Sequence, residues 1–147
     1  MDKTNWQFEH SVECNSERSF AWSFWTDVSN WEKLEGKAVE WIKINGAFMT
    51  GTSGSTKMPG QDAYNWTITQ LDPQHFAIIE IQLEGAIFSN KMVFKSLNPD
   101  FTRIIQRFSL NGKKAENYVN GMQMLETSAP QGLKKLALAI ESAYAGI

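Results

Sequence analysis

The sequence predicts an α+β fold in which a curved antiparallel sheet is covered on one face by a C-terminal helix. Three observations predict it. The opening WQFEHSVEC alternates apolar and polar residues with period two. Short turn signals then recur through residues 38–110, as in a meander of strands. From Tyr118 to Tyr144, apolar residues at three- and four-residue spacing make one helical stripe.

In the first strand Trp6, Phe8, His10 and Val12 share one face, and Gln7, Glu9, Ser11 and Glu13 the other. Asn15 and Ser16 offer an N-cap, with Glu17 in the first turn of a helix that carries Phe20, Phe24 and Trp25. Asp27 interrupts that helix. It caps a second one, Val28 to about Leu34, because its carboxylate accepts from the free N–H groups of the first turn. Gly36 suits the end of this second helix. The stretch WTDVSNWEKLEG therefore concentrates aromatic surface around a short polar turn.

A strand is predicted over Val39 to Ile44, followed by the hairpin signal Asn45-Gly46. Phe48 to Met58 returns as a strand, ended by Pro59-Gly60. Gly51, Gly54 and Gly60 lie between strands, where they bend the sheet or form a mobile lid rather than a phosphate loop. Tyr64 to Leu71, Phe76 to Leu83, Ile87 to Leu97 and Phe101 to Leu110 follow. They are separated by Asp72-Pro73, Glu84-Gly85 and Asn98-Pro99-Asp100, and Asn111-Gly112 closes the series. Lys113 to Ile147 reads as helix. Pro130 is expected to kink or break it, with Ser128 capping a second segment. Gly121 is expected to let a ligand or a tryptophan approach the helix backbone.

Strand parity assigns the inner face. Arg103 and Arg107 belong in water, which turns Ile104, Gln106 and Phe108 inward. Lys91 and Lys95 likewise turn Asn90, Met92 and Phe94 inward. Ile79, Ile81, Leu83, Trp66 and Ile68 join them. Three members of this set are polar: His10, Asn90 and Gln106. An unpartnered buried polar group costs about 1–3 kcal/mol. Polar groups on an apolar wall mark a binding pocket, unless each finds a backbone or water partner. His10 also titrates near neutral pH.

The chain has 147 residues, enough for one domain over 1–147 with a core that needs neither disulfide nor metal. Its net charge of −2 supplies no field for nucleic acid. The single cysteine, Cys14, excludes an internal disulfide and reads as an inert thiol. Two histidines and one cysteine without ligand spacing point to no metal. His75, in a turn, is expected in solvent. The absence of an apolar leader in MDKTNWQFEH and of any membrane-spanning apolar run leads to a cytoplasmic expectation, without membrane insertion.

The fragment WTDVSNWEKLEG resembles the W-x-D-(V/P)-x-x-W-x-x-(W/L) signature of the SRPBCC superfamily, which includes START domains, birch-pollen-allergen-like proteins and polyketide cyclase/dehydrase proteins. Gly46-Ala47-Phe48 with Gly51-Thr52, Leu71-Asp72-Pro73, Thr102-Arg103-Ile104, Gly112 and Ala129-Pro130-Gln131-Gly132-Leu133 follow in the family's order. The resemblance spans nearly the whole chain and is closest to the small polyketide cyclase/dehydrase-like members. It implies the helix-grip fold: a curved antiparallel sheet wrapped around a long C-terminal helix, with two short helices after the first strand and a cavity between sheet and helix. It also implies that Trp25 and Trp31 plug the corner between the short helices or line the cavity mouth.

The resulting expectation is a protein, monomeric or homodimeric, that binds a small hydrophobic, aromatic or lipid-like molecule without a cofactor. Its ligand-binding residues are His10, Trp25, Trp31, Trp66, Asn90, Met92, Phe94, Gln106, Phe108, Tyr118 and Met122. Aromatic rings stack on flat ligands and methionine adapts to varied shapes. The alternatives are a polyketide cyclase or dehydratase, with His10 as base and Gln106 or Asn90 holding developing oxygen charge, and a ligand-free interaction module.

Overall fold

Seven antiparallel strands form one curved sheet: β1 (Thr4–Cys14), β2 (Trp41–Ile44), β3 (Ser53–Lys57), β4 (Tyr64–Asp72), β5 (Phe76–Leu83), β6 (Ala86–Asn98) and β7 (Phe101–Asn111). Four α-helices accompany them among the described residues: α1 (Arg18–Thr26), α2 (Val28–Glu35), α3 (Glu116–Met122) and α4 (Leu125–Ala145). The spatial strand order is β1-β7-β6-β5-β4-β3-β2. The computed structural model describes residues 4–147. The first three residues of the segment read for a leader lie outside it.

Parity becomes register across the sheet. Phe8 pairs with Phe108, His10 with Gln106 and Val12 with Ile104. Asn90 pairs with Phe108, Met92 with Gln106 and Phe94 with Ile104. The inner set assigned from the sequence faces the helices, and the outer face carries the ion pairs Arg103–Glu13 and Arg107–Glu9. A register slip of one residue would reverse both faces, so the buried pattern holds the pairing. The sheet bends at the irregularities between Ile68 and Gln70 and between Ser96 and Asn98, where an extra residue locally increases twist.

The corner between α1 and α2 is bolted by three side chains. Asp27 Oδ1 accepts from the Ser29 N–H and caps α2, as expected. Asn30 Nδ2 donates to the Phe24 carbonyl, and Trp31 Nε1 donates to the Trp25 carbonyl. The last two bonds satisfy carbonyls orphaned at the end of α1. Gly36, with φ of 56°, ends α2 in the left-handed region that glycine adopts without strain.

Helix α4 is tied along β1. Trp6 Nε1 donates to Glu126 near its start, and the backbone N–H of Asn15 donates to Glu141 near its end. Leu133, Leu136, Ala137 and Ile140 are its buried residues, all within the predicted stripe or beside it.

Several expectations need correction. Pro130 does not break the helix in two: it lies inside α4, and Ser128 caps nothing. Its missing N–H deprives a single carbonyl, that of the exposed Glu126, which water can meet. The interruption falls instead at Gln123–Met124, where dihedrals stay helical but Glu126 N–H donates to Gln123 with tighter, three-residue spacing. The first helix begins at Arg18 with Glu17 as a cap residue whose carboxylate accepts from the Ser19 hydroxyl rather than from a backbone N–H; Ser16 is buried, its carbonyl accepting from Thr102 Oγ1.

Residues 39 and 40 precede β2, and β3 starts only at Ser53. Asn45-Gly46 therefore opens a wide loop rather than a tight hairpin, because Phe48 is drawn inward among tryptophans. Gly121 faces open space and admits no close neighbour, whereas an added Cβ on Gly54 would lie 2.2 Å from Trp66 Cζ2. Gly54 is the glycine that the packing requires.

Candidate functional site

The concave face has two unlike halves. At the α1–α2 end, Trp22, Trp25, Trp31, Phe48, Trp66 and Phe94 form one aromatic network with centroids 5.3–6.4 Å apart. Met92, Ile68, Ile104 and Ile140 complete this packed body and are at most 2% exposed. Trp66 Nε1 donates to Thr56, so even its polar edge is satisfied internally.

The other half lies under α3 and the start of α4. There Phe108 and Leu110 are buried, but Phe8, Phe88, Tyr118, Val119, Met122 and Leu125 keep partial exposure although they face inward. Side chains on a concave face can retain exposure only where the covering helices leave space. The Phe8 and His10 rings lie 5.2 Å apart and 21° from parallel, and Phe88 and Phe108 lie 5.5 Å apart and 22° from parallel. His10 and Phe108, at 6.4 Å and 22°, join the two pairs into one series of aligned rings.

Between the halves runs a polar row across three adjacent strands. His10 Nε2 donates to Gln106 Oε1 at 2.8 Å, and Gln106 Nε2 donates to Asn90 Oδ1 at 3.3 Å. All three residues are half-buried. Burial holds the His10 imidazole below its ordinary 6.5, and the bond to Gln106 opposes this only in part. The ring is therefore neutral at neutral pH, with one nitrogen protonated and the other basic. His10 and Val12 also border an open groove with Glu9, Ser11, Glu13, Arg103 and Ile105, so the edge strand is approachable here.

No family model and no curated protein matches the chain. Solved structures do. Truncated norcoclaurine synthase from Thalictrum flavum is 18% identical, with a TM-score of 0.73 over 97% of this chain and 93% of that one. The same enzyme in complex with dopamine and hydroxybenzaldehyde gives a TM-score of 0.71 at 18% identity, over 97% of this chain and 86% of that one. The Zhui aromatase/cyclase from Streptomyces sp. R1128 is 12% identical, with a TM-score of 0.70 over 96% and 94% of the two chains. The fold is the helix-grip. At these identities the likeness concerns architecture, and that architecture is the one the resemblance of the sequence implied.

Within the helix-grip, the eleven predicted residues divide. Trp25, Trp31, Trp66, Met92 and Phe94 belong to the packed end, and the corner role expected for Trp25 and Trp31 is what their contacts describe. His10, Asn90, Gln106, Phe108, Tyr118 and Met122 lie at the open half or on its border. The Tyr118 hydroxyl points away from the polar row and donates to the Glu84 carbonyl, which leaves its ring as wall.

Phe88, Val119 and Leu125 were not foreseen as site residues. Phe88 was available from parity, two positions before Asn90. The helical pair depended on where α3 ends, which the sequence reading placed at Pro130. His75 is exposed, near Asp72 and Pro73, and takes no part. Cys14 is fully buried, its thiol directed to the Ala137 carbonyl, and burial together with Glu141 pushes its pKa up to about 12. Among the described residues no three His, Cys, Asp or Glu side chains gather as a metal site, and no helix is long and apolar enough to cross a membrane.

Proposed function

We propose that this helix-grip protein binds a small hydrophobic molecule, aromatic or lipid-like, in the space between α3, the start of α4 and the β1-β7-β6 part of the sheet. One observation carries the reading: the inward-facing rings of Phe8, Phe88 and Tyr118 remain partly exposed beside a polar row. Apolar walls with a few convergent polar groups are how small-molecule sites are built. The norcoclaurine synthase complex, with its two small aromatic molecules, supports the reading by analogy of fold. Native mass spectrometry of the purified protein, followed by denaturation and identification of released compounds, tests it. A bound hydrophobic compound is expected. An empty protein that shows no thermal shift in a screen of aromatic and lipid compounds would overturn it.

A second reading, a cyclase or dehydratase, is favoured by one feature. His10 is held neutral and has a ring nitrogen available as a base, and two strands away the Asn90 amide can donate to a developing oxyanion. His10→Ala is expected to abolish such turnover, and unchanged turnover of every accepted cyclisation substrate would remove this role.

A further inference from the structure

The polar row has a direction, and that direction selects a ligand. Gln106 receives a proton at Oε1 from His10 and gives one from Nε2 to Asn90 Oδ1. Amide oxygen and nitrogen have unlike roles, so each bond constrains the next. With Nε2 donating, neutral His10 carries its lone pair on Nδ1. With Oδ1 accepting, Asn90 retains Nδ2 as a donor. Neither His10 Nδ1 nor Asn90 Nδ2 makes a hydrogen bond among the described residues, and the one buried side-chain nitrogen or oxygen there without a partner is Arg18 Nε. Both ends of the row are thus open to space rather than sealed in the core.

We propose that Gln106 is a positioning residue that holds His10 as the Nε2–H tautomer, so that the site presents one acceptor, His10 Nδ1, and one donor, Asn90 Nδ2, to a planar ligand bearing a hydroxyl at one end and a carbonyl at the other. This rests on the binding reading above and specifies its ligand. The two ends stand on β1 and β6, separated by β7; Met92 rather than Asn90 is level with Gln106, so the row runs diagonally and its ends lie about 12 Å apart at the backbone. The aligned rings of Phe8, His10, Phe108 and Phe88 leave a flat molecule the means to lie parallel to them. A ligand carrying two acceptors, or none, leaves one end of the row unpaired and loses selectivity there.

The test has two arms. In the first, the protein is labelled with 15N-histidine and its ring nitrogens are observed at neutral pH. The chain has two histidines, so His75→Gln assigns the signals. A protonated Nε2 and an unprotonated Nδ1 are expected for His10, and Gln106→Leu should return the ring to a tautomer mixture. A protonated Nδ1 in the unaltered protein, or no change in Gln106→Leu, overturns the proposal.

In the second arm, 4-hydroxychalcone is compared with 4-methoxychalcone, which lacks the donor, and 4-hydroxystilbene, which lacks the carbonyl. The hydroxychalcone should bind about fivefold more tightly than either, the effect of one net hydrogen bond. Asn90→Asp, or Asn90→Leu should that variant not fold, should erase the advantage over the stilbene and keep the advantage over the methyl ether. Equal binding of all three compounds overturns the polarity but leaves the pocket standing. Binding of none overturns the pocket and, with it, this ligand class.

Discussion

At Cys14, burial acts directly on a chemical group. The thiol is removed from water and faces Glu141, so its ionisation is pushed up to about 12. An unfolded thiol ionises near its ordinary 9.0, so the unfolded state releases protons first as pH rises. Folding stability should fall as pH climbs above 9, and a thiol reagent should react at the rate of unfolding rather than at the rate of a free cysteine. Rapid native labelling would contradict this. His10 works in the opposite direction. Burial lowers its folded pKa below 6.5, so the unfolded state binds the proton first as pH falls. Its contribution is fully present above 6.5 and is lost as pH drops through the lower folded value. Melts between pH 7.5 and 5 should therefore show a steeper loss in the unaltered protein than in His10→Gln. Matching slopes would show that His10 contributes nothing to the pH response.

At the scale of elements, glycine and tryptophan positions separate packing from propensity. An alanine at Gly54 in β3 would drive a methyl into the Trp66 ring and the Lys43 carbonyl, a collision with β4 and β2 together. Gly54→Ala should cost about 1–3 kcal/mol, as overpacking does. Gly121→Ala in α3 meets nothing and should gain up to about 1 kcal/mol from helix propensity. Urea denaturation of the pair checks both signs, and equal effects would mean that the β3 contact is not rigid. Trp31→Phe keeps a ring in the corner but removes the N–H that satisfies the Trp25 carbonyl at the end of α1. A loss of about 1–3 kcal/mol is expected, the cost of an unpaired acceptor. A smaller loss would show that water replaces the indole.

Over the whole molecule, the part legible in the sequence was the part governed by a rigid period. Alternation in β1, β5, β6 and β7 assigned the inner face because a strand cannot turn one side chain without turning its neighbours. The polar exceptions His10, Asn90 and Gln106 followed from parity alone, and register then placed them on adjacent strands. What could not be read was the division of the face. It arises from the eight-residue connection between Ile44 and Ser53, which inserts Phe48 among tryptophans brought from α1, α2 and β4. It also depends on where the C-terminal helices divide. Pro130 looked like the break because proline removes a bond wherever it stands, but tertiary packing tolerates one missing bond, and the division falls seven residues earlier, at Gln123.

Four of the six tryptophans, Trp22, Trp25, Trp31 and Trp66, lie at the α1–α2 end; Trp41 is on β2, with Lys43 Nζ 4.5 Å from its ring, and Trp6 alone stacks toward Phe108. The intrinsic emission of this protein is therefore chiefly a report on its α1–α2 end. A ligand entering under α3 would leave most of that light unchanged and would be seen through Trp6, so a fluorescence titration gains its contrast when Trp6→Phe serves as the blank.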